Sequence, residues 1–253
     1  FINKYTEGQS AKYWKESMMS FDIPGLGEMR TGSEYVITSE YIEEKDKFFI
    51  LQLTISDLIE TSLWGDDMKP VDQLKPIQNI PCRMYINSEG ELDHIATEHF
   101  HLEEIFHHHY MGASSFGKNY LYPFGKDAVN LSVGDSWTRV LDSVIIYISV
   151  DSPESFMSVN ETYTLKKVKT KKGNNIAYIS SISVTKCDIN MIMGKEFLEG
   201  SSSGTWYTKF RYDIDSGEIV YDKSSADMDM DYKMFDKTFK TTQSFSHTYK
   251  KLK

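Results

Sequence analysis

The chain has 253 residues and a net charge of −9, and its composition includes 40% hydrophobic and 13% aromatic residues. These values are typical of a globular protein with a sizeable core, and the negative charge disfavours nucleic acid, whose phosphates require a concentrated basic surface. No apolar run reaches the ~20 residues of a transmembrane helix, and the many aromatic residues favour sheet structure.

The first predicted elements are two strands joined by a charged turn. Residues 33–43 alternate between apolar and polar side chains, and residues 48–55 place Leu51, Leu53 and Ile55 on one face. Such alternation is typical of half-buried strands. The two segments therefore predict an antiparallel hairpin.

A histidine-rich segment, residues 98–110, is predicted to form a short amphipathic helix. Leu102, Ile105, Phe106 and His109 recur at the spacing of one helix face. Imidazole and carboxylate groups on the other side suit zinc, copper or iron. The residues proposed as metal ligands are His101, Glu104, His107 and His108. An ordinary solvated helix face is the alternative interpretation.

Two turns half a chain apart have similar sequences, YINSEGEL at residues 85–92 and YDIDSGEI at residues 212–219. Each places an Asn or Asp before a glycine that can adopt positive φ, as in tight hairpins. A hairpin at 163–184 also matches the first one. This recurrence favours an internal duplication with halves 1–120 and 121–253 packed as one unit. Chance recurrence of hairpins in a β protein is the alternative.

The clearest period-two segment lies near the C-terminus, where apolar residues alternate with Asp227, Asp229, Asp231 and Lys233. Tyr232 stands where a calcium-binding EF-hand requires glycine, so the aspartates are interpreted as an exposed strand face. Methionine lines adaptable binding surfaces as well as cores. The residues predicted to bind a ligand are Met228, Met230, Tyr232 and Met234, with core packing as the alternative.

Catalytic motifs are missing from the sequence. It contains no G-x-S-x-G motif, no P-loop and no complete dinucleotide-binding glycine pattern. Residues 201–204, SSSG, are interpreted as a linker or turn. Cys82 and Cys187 could form one disulfide or be two buried thiols. The sequence therefore predicts a protein without enzymatic activity or cofactor.

An ordered series of motifs runs through residues 121–221: LYP at 121–123, VNLSVGDSW at 129–137, ETYTL at 161–165, GSSSG at 200–204 and YDIDSG at 212–217. The series resembles an uncharacterised family of bacterial envelope lipoproteins with a V-x-V-G-D-x-W motif. The resemblance implies a secreted, lipid-anchored protein of the periplasm or outer surface whose leader has been removed. Its layout is similar to LolA-like half-barrel lipoproteins, which hold lipids.

Physical chemistry gives the V-x-V-G-D-x-W motif a structural role. Gly134 and Asp135 are predicted to form a turn in which the carboxylate binds its own backbone. The strand after it begins at Trp137, whose indole N–H requires a partner in the core.

The predicted fold is an α+β protein dominated by antiparallel β-sheet, as a curved sheet or half-barrel with one or two short helices. The predicted function is non-catalytic binding of an apolar small molecule, a lipid or an envelope partner protein. One alternative is metal binding through the histidine-rich helix. The other is a surface scaffold or carbohydrate-binding module that uses exposed Trp and Tyr.

Overall fold

A computed structural model describes residues 1–23, 27–64, 67–70, 74–103, 105–106, 109, 120–146, 153–193, 196–234 and 237–253. The chain is 71% strand, and no described helix reaches seven residues. The predicted dominance of antiparallel sheet is confirmed, whereas the α+β class and its helices are not. None of the helices described is long and apolar enough to cross a membrane.

Twelve strands form one sheet, and two short 3-10 turns are described beside them. The strands are β1 (Ser10–Ile23), β2 (Gly27–Lys45), β3 (Phe48–Trp64), β4 (Asp67–Pro70), β5 (Cys82–Ile86), β6 (Leu92–Ala96), β7 (Ser136–Ile146), β8 (Ser155–Lys171), β9 (Asn174–Met193), β10 (Glu196–Asp213), β11 (Glu218–Met234) and β12 (Lys237–Lys251). The 3-10 turns are Lys75–Ile77 and Phe100–Leu102.

The strand order is β6-β5-β3-β2-β1-β12-β11-β10-β9-β8-β7, with β4 pairing with β3. Within each half, most strands that follow each other in the chain lie side by side, as in an antiparallel meander, whereas β4 and β5 both pair with β3 and β6 and β7 form opposite edges of the sheet. The first and last strands meet in the middle, where Tyr13 lies opposite Lys251. This pairing joins residues 1–120 and 121–253 in one sheet. The second half is an unbranched meander of six strands, whereas β4 branches off β3 in the first half, and the duplication remains a prediction.

One face of the sheet, called the inner face here, carries three apolar clusters. The first lies on β2, β3 and β5, and Ile77, Leu102 and Phe106 pack on it from outside the sheet. The second lies on β7 to β10 and includes Phe124 and Ala128 from the connection before β7. The third, on β8, β9 and β11, contains only strand residues among those described. The core is therefore covered by connecting segments over two of its three parts.

The helix predicted for the histidine-rich segment is only partly described, and it is not confirmed. A 3-10 turn at Phe100–Leu102 precedes residues 103, 105, 106 and 109, which have helical backbone, whereas 104, 107, 108 and 110 lie outside the described residues. Leu102 and Phe106 nevertheless bury the apolar stripe that the sequence predicts.

The segment interpreted as a linker, residues 201–204, lies inside β10. A Cβ atom on Gly200 would lie 2.8 Å from Cβ of Tyr232, and one on Gly204 would lie 2.7 Å from Cγ of Met228. These glycines therefore give room to side chains of β11. The linker interpretation was wrong because small residues serve close packing here rather than flexibility.

The two similar turns are each closed by side-chain hydrogen bonds to their own backbone. Oδ1 of Asn87 and Oδ1 of Asp213 each accept two backbone N–H groups of their own turn. Gly90 and Gly217 have φ of 84° and 72°, in the region that favours glycine. The prediction of two tight hairpin turns is confirmed.

The structure also confirms the role predicted for the V-x-V-G-D-x-W motif. Oδ2 of Asp135 accepts the backbone N–H of Ser132 at 2.8 Å. Nε1 of Trp137 donates to the carbonyl oxygen of Phe124 at 2.7 Å, and its ring stacks on Tyr163 with centroids 5.4 Å apart. This motif therefore builds the second cluster.

The two cysteines do not form a disulfide with each other. Cys82 lies in the first cluster and Cys187 in the third, and both are buried. Burial raises the pKa of the Cys187 thiol to about 11, which keeps it in the unreactive protonated form.

Candidate functional site

The residues predicted to bind a ligand lie on β11. Met228, Met230 and Tyr232 are buried on the inner face, and Tyr232 stacks on Phe239 with ring centroids 5.3 Å apart. Met234 ends the same strand. Met228, Met230 and Tyr232 are therefore part of the core. A ligand on the inner face would lie over them.

The proposed metal ligands are only partly described. His101 is exposed in its 3-10 turn, with its ring centroid 6.1 Å from that of His99. Glu104, His107 and His108 lie outside the described residues. Within the residues that are described, no three side chains of metal-ligating type come together. The metal site stays a prediction.

A row of polar side chains crosses the inner face between the apolar clusters. Its members are neighbours in the hydrogen-bonded ladder of six adjacent strands: Ser33, Ser17, His247, Ser224, Thr208 and Ser181. Side chains in this register lie on one face. We call this set the polar row.

Lys15 lies beside the polar row, two residues before Ser17 on β1, and its side chain is on the same face. It shares its own row with Tyr35, Tyr249 and Asp222. The lysine is only 6% exposed, and its Nζ lies 5.5 Å from the centre of the Tyr35 ring. Among the described residues, it makes no hydrogen bond and has no carboxylate within 4.0 Å.

The charge state of Lys15 reflects this position. Burial lowers the pKa of the ammonium group to about 8, and the charge of Asp222 acts in the opposite direction. The group is therefore still mostly protonated at neutral pH. Nζ is not among the fully buried polar atoms that lack a hydrogen-bond partner, so the ammonium still touches solvent, and its three donors are open to water or to a ligand.

Asp222 is engaged by residues other than Lys15. Nε2 of His247 lies 3.0 Å from Oδ2, and the Ser224 hydroxyl donates to Oδ1 at 3.3 Å. The His247 side chain is 30% exposed. The Asp222 carboxylate is thus held by two members of the polar row. The imidazole of one of them, His247, is partly exposed to solvent.

An apolar strip lies on the far side of the polar row from Lys15. We use this name for Met19, Phe21, Trp206 and Phe245, which are all partly exposed on the inner face. The rings of Trp206 and Phe245 lie 5.3 Å apart. Phe21 packs against the third cluster, on which only strand residues pack in the described part of the chain. No described segment covers these apolar side chains, which are therefore open to solvent on the inner face.

The comparisons with known proteins give one informative likeness. No family model and no curated protein sequence matches the chain. A solved structure titled "lipid-protein interactions in lipovitellin" is similar with a TM-score of 0.54 and 12% identity, over 99% of this chain and 26% of that chain. The likeness shows the fold. The chain spans about a quarter of the lipovitellin chain.

Two outer-membrane proteins also match, at lower scores. A loop-deletion mutant of OmpT from Vibrio cholerae has a TM-score of 0.26 and 9% identity, over 98% of this chain and all of that chain. An outer-membrane channel from Pseudomonas putida has a TM-score of 0.21 and 6% identity, over 99% and 97% of the two chains. Scores this low do not show a shared fold.

A second polar group on the inner face is internally satisfied. Oε1 of Glu161 accepts the Ser181 hydroxyl at 2.6 Å, and Oε2 accepts the Tyr163 hydroxyl at 2.5 Å. Arg139 lies opposite Glu161 in the ladder. These partners give Glu161 a structural role, unlike Lys15.

Sequence analysis did not identify Lys15, Asp222 or His247 as candidates. The signal lies in β1, where the inward positions around Lys15 are Tyr13, Ser17 and Met19. A lysine in the inward register of a half-apolar strand needs a partner. Asp222 and His247 have no local signal, because strand pairing alone brings them near β1.

Proposed function

We propose that the protein binds an apolar or amphiphilic ligand, such as a lipid, on the inner face of its sheet. The observation that carries this proposal is the apolar strip. Connecting segments cover the first and second clusters, whereas Met19, Trp206 and Phe245 stay partly exposed. Removing apolar surface from water contributes ~25 cal/mol per Å², so a ligand that covers the strip gains affinity from it.

The likeness to lipovitellin supports the choice of ligand class. The lipovitellin structure concerns lipid–protein interactions, and the likeness covers 99% of our chain. Shared fold does not establish shared function, so this support is by analogy. An envelope partner protein is the alternative occupant of the strip.

The remaining parts of the proposal rest on the resemblance of residues 121–221 to envelope lipoproteins. We propose a non-catalytic protein of the bacterial envelope that is held at the membrane by a lipid anchor. Cell fractionation of the full-length protein with and without detergent tests the location. Recovery in the cytosolic fraction would contradict it.

Binding is tested with an uncharged fluorescent lipid, the methyl ester of cis-parinaric acid. We expect saturable binding with energy transfer from tryptophan. Trp206→Ala is expected to weaken binding roughly tenfold, because it removes part of the apolar contact. Trp14 bonds to Glu34 through Nε1 on the opposite face, so Trp14→Ala is the matched control. Equal affinity of the two variants, or no saturable binding of either the ester or the free acid, would contradict the proposal.

A further inference from the structure

We infer that Lys15 selects ligands with an anionic oxygen headgroup, so that the ligand is a long-chain amphiphile rather than a neutral lipid. The headgroup, a carboxylate or a phosphate, would lie at the Lys15 ammonium, and the chain would lie on the apolar strip. This inference rests on the proposed function and adds the chemistry of the headgroup.

The first step is the state of Lys15. The side chain is buried, and it makes no hydrogen bond to any described residue. Its Nζ is not among the fully buried atoms without a partner, so a ligand can reach it, and an ammonium in such largely buried surroundings gains from pairing with an anion. The nearest row partner of opposite charge is Asp222, whose oxygens bind His247 and Ser224. An anionic oxygen from a ligand would supply the missing acceptor.

The second step is the path that leads away from Lys15. The following inward positions of β1 are Ser17, Met19 and Phe21. Two-residue steps along a strand are about 6.7 Å, so the path from Lys15 to Phe21 is roughly 20 Å. Its polar beginning and apolar remainder match the headgroup and chain of an amphiphile.

The third step concerns the groups that flank the ammonium. The hydroxyls of Ser17 and Ser33 and the partly exposed imidazole of His247 lie one row farther along. These groups can donate hydrogen bonds to a second headgroup oxygen. Tyr35 bounds the other side, and its hydroxyl lies 3.4 Å from Nε2 of His109. A charged headgroup would thus meet donors on one side and an aromatic wall on the other.

The test compares cis-parinaric acid with its methyl ester, which have the same chain and differ in headgroup charge. For the unaltered protein we expect the acid to bind at least about tenfold more tightly, because only the acid pairs with Lys15. Lys15→Met is expected to lower the acid's affinity to that of the ester and to leave the ester's affinity unchanged. Lys12→Met, at an exposed position of the same strand, should change neither.

Two further variants keep the test decisive. Lys15→Arg retains the charge and should keep the preference for the acid even if its absolute affinity falls. At about pH 6, where Lys15 stays protonated even without Asp222, Asp222→Asn removes a negative charge near the headgroup and should strengthen binding of the acid a few-fold while leaving the ester unaffected. A purely structural lysine would show neither response. Far-UV circular dichroism checks that each variant is folded.

Each outcome has a defined meaning. Tight binding of the ester with no Lys15-dependent preference for the acid would overturn this inference and leave the proposed function standing. Binding of neither probe would overturn both. Competition by lysophosphatidic acid distinguishes the two headgroups. If it displaces parinaric acid only while Lys15 is present, the site takes phosphate as well as carboxylate, and if it does not compete, the site is specific for carboxylate.

Discussion

Lys15 shows how one residue can oppose folding and still be retained. Its pKa of about 8, against a normal 10.5, means that the charged form costs roughly 3 kcal/mol in the folded protein. Tyr35 offers a cation–π contact, but the ammonium lies 5.5 Å from the ring centre and gains little. The position of Lys15 therefore disfavours stability, which is consistent with the headgroup-binding role that we propose for it.

We therefore expect Lys15→Met to raise the free energy of unfolding by about 1–3 kcal/mol near neutral pH. The folded-state pKa lies below the unfolded one, so the wild type gains stability as pH rises from about 8 to about 10.5. The advantage of the variant should shrink over that range. Urea unfolding at about pH 7 and about pH 9.5 measures both effects, with Lys12→Met as control. A destabilised Lys15→Met would show that the lysine is structural.

Trp137 is the opposite case, a residue whose polar atom is fully used in the core. Its Nε1 donates to the carbonyl oxygen of the fully buried Phe124. Trp137→Phe leaves that oxygen without its donor, and we expect a loss of about 2–4 kcal/mol in unfolding free energy. Trp14→Phe breaks an exposed hydrogen bond to Glu34 and should lose less than about 1 kcal/mol. Equal losses in urea unfolding would contradict this account.

At the scale of elements, β10 depends on small inward residues. Gly200, Ser202 and Gly204 alternate along its inner face, and β9 and β11 contribute the neighbouring large side chains of the third cluster. Cys187 and Met230, which flank Ser202 in the ladder, belong to that cluster. The small side chains of β10 therefore lie in a groove on the inner face, between the larger side chains of β9 and β11.

Gly204→Ala is expected to destabilise the protein by about 2 kcal/mol or more. The added Cβ would clash with the carbonyl oxygen of Asp227 and lie 2.7 Å from Cγ of Met228. Ser203→Ala, on the exposed face of the same strand, should change stability by less than about 0.5 kcal/mol. Thermal unfolding of both variants measures the difference. A tolerated Gly204→Ala would mean that β10 and β11 separate easily.

The elements also show what the sequence could and could not predict. Alternation predicted β2 and β3 with the correct inward residues, and turn chemistry predicted the hairpins at Gly90 and Gly217. The same methods misread residues 201–204, because glycine and serine signal turns unless the facing strand is known. Turn signals are local, whereas the need for small residues comes from Met228 and Tyr232 across the ladder.

The candidate site lay beyond prediction for a related reason. Lys15 and His247 are far apart in sequence, and they become neighbours only because β1 pairs with β12 in the middle of the sheet. Nothing in either strand specifies that partner. Met228, Met230 and Tyr232 were identified from their alternation, but alternation does not separate a binding surface from a packed core.

At the scale of the whole molecule, the closing contacts of the sheet concentrate tyrosine in the interior. Tyr13 stacks on Tyr249 with ring centroids 4.7 Å apart where β1 meets β12. Tyr35 and Tyr163 lie in the first and second clusters. Burial is the largest cause that raises the pKa of each of these four hydroxyls above its normal value of 10.0. The folded sheet therefore favours the protonated form of these four buried hydroxyls.

This arrangement predicts cooperative alkaline unfolding. The folded-state pKa values lie above the unfolded value, so the stabilisation is complete below pH 10 and is lost as pH rises above it. We expect tyrosinate absorbance and loss of far-UV circular dichroism to change together in one steep transition. Tyr35→Phe removes one such group and should shift the midpoint to higher pH and reduce its steepness. Gradual ionisation near pH 10 with an unchanged sheet signal would show that these tyrosines reach solvent without unfolding, and would contradict their burial in the core.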